Sequence, residues 1–140
     1  RIYGDKDPGR AESRLGVVPI NLEGIQHALV SAILGYEFGI GVRHGCFCAH
    51  PYLLCLLGVS GQEAELVRSQ IRSGDKRAVP GMVRISFGLY NTTAEVDALL
   101  EALARIARGE YQGKYTQSTR SGEYRPEGWS VDFERIIFPE

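Results

Sequence analysis

The sequence predicts an α+β domain, with helices packed on one face of a small sheet. Two observations carry that expectation. Residues 25–36 and 96–106 repeat apolar side chains at helical spacing. Between and around them lie only a few short, strand-like runs, at 15–20, 40–43 and 82–87.

Taken in order, residues 1–14 are polar, with Asp5, Lys6, Asp7, Pro8 and Gly9, and are expected to form a lead-in loop. Residues 15–20 form a strand in which Pro19, lacking an N–H, marks an edge or an end. Ile25, Ala28, Leu29, Ala32, Ile33 and Tyr36 predict a helix with one buried stripe, stopped at Gly39. A short strand at 40–43 leads into a cysteine-bearing loop, and Pro51 opens an apolar helix over 51–57. Ser60 and Glu63 form a capping-box pattern for a helix running to about Ser73, followed by a loop over 74–80. Residues 82–87 alternate, with Val83, Ile85 and Phe87 on one face and Arg84 and Ser86 on the other. Thr92 and Glu95 repeat the capping box ahead of a second helix marked by Val96, Leu99, Leu100, Leu103 and Ile106, ending near Gly109. From Glu110 the character changes. Residues 110–130, with Tyr111, Tyr115, Tyr124 and Trp129, predict an irregular or hairpin-like extension whose aromatics pack, and 131–138 a final strand. The expected division is therefore a lead-in over 1–14, a domain over 15–109 and an extension over 110–140.

A chain of 140 residues suits one domain with a real core. A net charge of −1 implies no general affinity for nucleic acid or an anionic membrane. No apolar run approaches the ~20 residues needed to span a bilayer. Three cysteines, two of them separated by a single residue, argue against a disulfide framework and for a reducing, cytoplasmic setting. The start at Arg1 reads as a piece of a longer protein.

Residues 43–51 read Arg-His-Gly-Cys-Phe-Cys-Ala-His-Pro. Cationic groups or a helix N-terminus favour a reactive thiolate, and both lie next to Cys48: Arg43 and His44 before it, the helix at Pro51 after it. Cys55, among leucines, is expected to be a core residue. Cys46 is read as a packing residue and His50 as structural. His44, Cys46, Cys48 and His50 also alternate, which in a strand would put all four on one face as a zinc site. One strand cannot easily wrap four ligands tetrahedrally around an ion, so no metal is expected. A zinc-binding module, or a stand-alone regulatory or interaction domain without catalysis, is the alternative reading.

The order of the pieces carries a resemblance. Glu-Phe-Gly-Ile-Gly-Val-Arg-His-Gly-Cys-Phe-Cys-Ala-His-Pro (37–51) is followed by Val-Arg-Ile-Ser-Phe-Gly-Leu-Tyr-Asn-Thr (83–92), Glu95-Val96-Asp97 and a leucine-rich helix. Over about 15–108 the chain resembles the small C-terminal domain of class V aminotransferases, pyridoxal-phosphate enzymes that include cysteine desulfurases and selenocysteine lyases. The Gly-Cys-Phe-Cys loop is similar to that of molybdenum cofactor sulfurases, and Cys-Ala-x-Pro to that of ordinary desulfurases. The resemblance implies a mostly antiparallel sheet, as in the C-terminal domain of fold-type I enzymes. It implies that Cys48 carries a persulfide and that Arg84 pairs with the substrate α-carboxylate, for which a guanidinium fork is suited. Arg43 is assigned to the same substrate-binding role, with His44, Cys46 and His50 as supporting candidates.

The family holds its cofactor on a large N-terminal domain, through a lysine and an aspartate. Here the lysines are Lys6, Lys76 and Lys114, and none lies in the family's lysine motif. The resemblance therefore implies that pyridoxal phosphate belongs to the full-length enzyme and that this chain alone neither binds it nor turns over substrate. The implied partners are the chain's own N-terminal cofactor-binding domain, a second copy in a homodimer, a small amino-acid substrate and a sulfur-acceptor protein. Desulfurase, lyase and aminotransferase-like chemistry stay open at this point.

Overall fold

A computed structural model describes residues 1–13 and 15–130. The strand expected at 131–138 lies outside the described residues. Nine elements follow a short 3-10 segment at Pro8–Ser13: β1 (Val17–Ile20), α1 (His27–Phe38), β2 (Arg43–Gly45), α2 (His50–Leu57), α3 (Gly61–Arg72), β3 (Met82–Ser86), α4 (Thr93–Ala107), β4 (Tyr115–Gln117) and β5 (Tyr124–Pro126). β3 lies between β1 and β2, antiparallel to both, and β4 and β5 form a separate antiparallel pair. The architecture is α+β, with small antiparallel sheets and helices. Among the described residues no helix is long and apolar enough to cross a membrane.

Local chemistry explains most element ends. Both capping boxes form. The Ser60 N–H donates to Glu63 Oε2 at 2.8 Å, and the Glu63 N–H donates to Ser60 Oγ at 3.3 Å. The Thr92 N–H donates to Glu95 Oε2 at 2.7 Å, and the Glu95 N–H donates to Thr92 Oγ1 at 3.3 Å. Two orphan donors are satisfied at each helix start. Gly39 ends α1 at φ 66°, a conformation that only glycine adopts without steric cost.

The main core joins Ile20, Val83 and Ile85 of the sheet to Val30, Ile33 and Leu34 of α1 and Leu99, Ala102 and Ile106 of α4. The buried stripe of α1 is rotated from the expected one: Val30 and Leu34 are fully buried, while Tyr36 is 40% exposed. The reason is position. α1 contacts β2, β3, α4 and β5, so it is apolar nearly all round, and spacing alone does not choose its inner face. β2 begins at Arg43, later than expected, because Ile40 and Val42 pack against the core before the chain pairs with β3. The first residues of the lead-in pair with β1. Ile2 bridges Ile20, the Tyr3 N–H donates to the Pro19 carbonyl at 3.0 Å, and Tyr3 is buried.

Gly81 sits where the sheet meets α1. A Cβ there would lie 2.5 Å from His27 Nε2 and 2.9 Å from Gly45 Cα, so no side chain fits.

The extension is tied to α1 by Glu37. Its carboxylate accepts from the Gln112 N–H, the Gly113 N–H and the Tyr115 hydroxyl, each at 2.9 Å. Burial alone would raise the Glu37 pKa, but the two backbone donors and the Tyr115 hydroxyl outweigh it and hold it below the usual carboxylate value. Burial and the neighbouring Glu37 both push the Tyr115 hydroxyl up. Tyr36 adds edge contact with Trp129, with ring centroids 5.3 Å apart. Because the folded pKa of Glu37 is depressed, its stabilisation is present above the unfolded value of about 4.3 and is lost as pH falls through the folded value. Replacing Glu37 by Gln is expected to cost about 1–3 kcal/mol at pH 7. Urea melts of both proteins at pH 7 and pH 3 check this: the melts should be cooperative and the gap between variants should narrow in acid. A gap unchanged at pH 3 would mean that the carboxylate charge is not what holds the extension.

Candidate functional site

Register brings the two arginines together. Arg43 of β2 stands directly opposite Arg84 of β3, and Pro19 of β1 flanks Arg84 on its other side. Side chains alternate along a strand, so Arg43 and Arg84 share the face opposite to Val83 and Ile85, away from α1 and α4. Arg84 is half-buried and Arg43 exposed. Among the described residues neither guanidinium has a carboxylate partner. Like charges directly opposite on a sheet are destabilising, so this pair is suited to an anion that neutralises it. The Arg84 Nε is buried without a hydrogen-bond partner, and its guanidinium lies over the Phe47 ring, 5.2 Å from the centroid.

Phe47 belongs to a tight turn. The Ala49 N–H donates to the Cys46 carbonyl at 2.9 Å, and the two central residues have positive φ, 52° at Phe47 and 61° at Cys48. That is the pattern of a type I′ turn, normally built from Gly or Asn. Two consecutive non-glycine residues there cost about 1–3 kcal/mol each, a strain that clusters at functional positions. Cys46 and Phe47 pack against the small cluster of Tyr3, Leu53 and Met82, while Cys48 is exposed at the turn. α2 starts two residues later, so its positive dipole end faces the turn.

The remaining sequence candidates disperse. His44 follows Arg43 and therefore points to the opposite face, where its ring centroid lies 5.5 Å from that of His27. Both imidazoles are held below the usual histidine value. Burial is the main cause in each, the charge of Arg43 adds to it for His44, and that of His44 adds to it for His27. His50 is exposed at the first position of α2. The turn at 46–49 breaks the alternation that would have put His44, Cys46, Cys48 and His50 on one face. Among the described residues no group of three or more His, Cys, Asp or Glu is arranged to hold a metal ion.

Cys55 is exposed, not core. α2 is anchored through Leu53, which is 3% exposed, and two residues further on a helix has turned about 200°, so Cys55 faces outward. The leucines beside it in sequence point their side chains in other directions around the helix. Sequence reasoning also missed Phe47 as the neighbour of Arg84. An aromatic residue between two cysteines was visible, but its partner is set by the sheet.

Lys6, Lys76 and Lys114 are all exposed, on three separate segments. A Schiff-base lysine works from a desolvated, enclosed position, so these do not fit one.

The α+β module thus sets Arg43 and Arg84 on one sheet face, with Phe47 against Arg84 and Cys48 exposed on the same positive-φ turn. The chain belongs to the Aminotransferase class-V family, whose profile matches residues 2–99. It is 33% identical over 108 residues to a cysteine desulfurase of Cronobacter sakazakii, covering 77% of this chain and 20% of that protein. It is 37% identical over 95 residues to a cysteine desulfurase of Salmonella newport, covering 68% of this chain and 18% of that protein. A probable cysteine desulfurase of Vibrio cholerae is 32% identical over 87 residues, covering 62% and 16%. The crystal structure of the cysteine desulfurase CsdA from Escherichia coli aligns with a TM-score of 0.45 and 27% identity, over 74% of this chain and 23% of that one. The chain thus spans between 16% and 20% of the length of these curated relatives.

Proposed function

We propose that this chain is the small C-terminal domain, over about 15–109 with an extension behind it, of a cysteine desulfurase-like enzyme that uses pyridoxal phosphate. In this reading Arg84, assisted by Arg43, binds the substrate α-carboxylate, and Cys48 accepts the sulfur. The observation that carries it is the opposed Arg43–Arg84 pair with no described carboxylate, on the same sheet face and in contact with the cysteine turn through Phe47. A carboxylate accepts two parallel N–H donors from one guanidinium, so recognition is directional. Cys48 Sγ forms an S–S bond to the substrate sulfur as the C–S bond breaks, leaving the electron pair on the carbon framework. The exposed lysines do not fit the cofactor, and its binding is assigned to an N-terminal domain outside this chain. A homodimer and a sulfur-acceptor protein complete the proposal.

Alkylation of the chain tests the site, with Cys55 as an internal reference. The anionic iodoacetate carries the carboxylate the arginines would bind, and neutral iodoacetamide does not. The iodoacetate-to-iodoacetamide rate ratio at Cys48 should exceed that at Cys55 several-fold, and Arg84→Ala should remove the excess. Equal ratios at the two thiols would overturn the carboxylate role.

A further inference from the structure

We propose that Phe47 is a positioning residue for Arg84: its ring sets the plane of the guanidinium and so couples carboxylate recognition to the posture of the Cys48 turn. The inference rests on the reading of Arg84 as the carboxylate partner and goes beyond it, to the residue that orients it. The Arg84 guanidinium carbon lies 5.2 Å from the Phe47 ring centroid, and its Nε is buried without a partner. The cross-strand neighbours Pro19 and Arg43 offer no side-chain acceptor. Among the described residues, the aromatic ring is therefore the group that fixes the direction of the fork.

The geometry suits that task. A guanidinium presents its N–H donors in its own plane and interacts with an aromatic ring through its face. Stacking therefore orders the side chain without consuming the donors a carboxylate needs. With Nε sealed, the Nη edge is what remains for the ligand. The ring is itself anchored. Phe47 packs with Tyr3, Leu53 and Met82, and its φ of 52° is locked into the turn closed by the Cys46 carbonyl and the Ala49 N–H. Phe47 and Cys48 are consecutive centres of that turn, so a change in the turn backbone moves the ring and the thiol together. An arginine ordered in advance also loses less freedom when ligand binds.

The test uses the same two reagents on Phe47→Leu and Phe47→Tyr. Leu fills space without an aromatic face, and Tyr keeps the face. Both reagents attack the same thiolate, so their rate ratio cancels changes in thiol exposure or ionisation that a merely structural role would produce. Phe47→Leu should lower the Cys48 ratio about two- to fivefold toward that of Cys55. Phe47→Tyr should retain it. If Phe47→Leu does not fold by circular dichroism, Phe47→Met replaces it. A folded Leu or Met variant with the wild-type ratio, or a folded Tyr variant without it, overturns the positioning role. A wild-type ratio at Cys48 equal to that at Cys55 fails the carboxylate reading instead, so the two failures are distinguishable.

Discussion

If the longer protein is the desulfurase proposed above, Cys48→Ser in it is expected to abolish persulfide formation. Serine fits the turn sterically, so the left-handed geometry at Phe47 and residue 48 is kept. The hydroxyl is a poor nucleophile toward sulfur at neutral pH, where thiolate reacts well. The other two cysteines are placed differently. Cys46 is half-buried against the Tyr3–Leu53–Met82 cluster, and Cys55 lies on the outward side of α2. Mass spectrometry of substrate-treated protein, reading the mass added to each cysteine peptide, checks this. Persulfide surviving in Cys48→Ser but lost in Cys46→Ser would move the nucleophile to Cys46.

On the proposed reading, Arg84→Ala is expected to weaken substrate binding by about 2–5 kcal/mol, the cost of truncating one partner of a charge pair that the bound carboxylate would complete. Each 1.4 kcal/mol is about tenfold, so KM should rise by roughly thirty- to several-thousandfold. Arg84→Lys should recover only part of this, because an ammonium lacks the planar fork and its stack on Phe47. Arg43→Ala should cost less. Arg43 is exposed at the end of an edge strand, where charge is screened by solvent, while Arg84 sits half-buried on the central strand. Steady-state kinetics of the three variants decide this. An Arg43→Ala effect equal to or larger than that of Arg84→Ala would reverse the assignment.

Both predictions depend on residues whose types were legible in the sequence and whose relations were not. The capping boxes at Ser60–Glu63 and Thr92–Glu95 were readable because everything they need lies within four residues. The α+β class and the inward pair Val83 and Ile85 followed from periodicity for the same reason. The arrangement around Arg84 depends on cross-strand register, which no local pattern in either strand states. His44 looked like a companion of Cys48 because it is near in sequence, yet one step along a strand reverses the side chain. Cys55 looked shielded for an analogous reason, and a helix turns between neighbours as a strand flips. The turn at 46–49 was the least legible element, since Phe and Cys are not the residues that normally take positive φ.

Gly45 bears on how accurately this arrangement can be assembled. β2 has only three paired residues, and a pairing shifted by one would bring Arg43 to the α1 side and turn His44 outward. Strands this short carry little pairing energy with which to reject such a slip. The backbone of Gly45 supplies part of the missing discrimination, because its φ of 107° lies in the region that favours glycine. A shifted β2 would bring either His44 or Cys46 to the place now held by Gly45, where that backbone conformation would strain a residue with a side chain. One residue without a side chain thus proofreads the alignment of two residues with long ones.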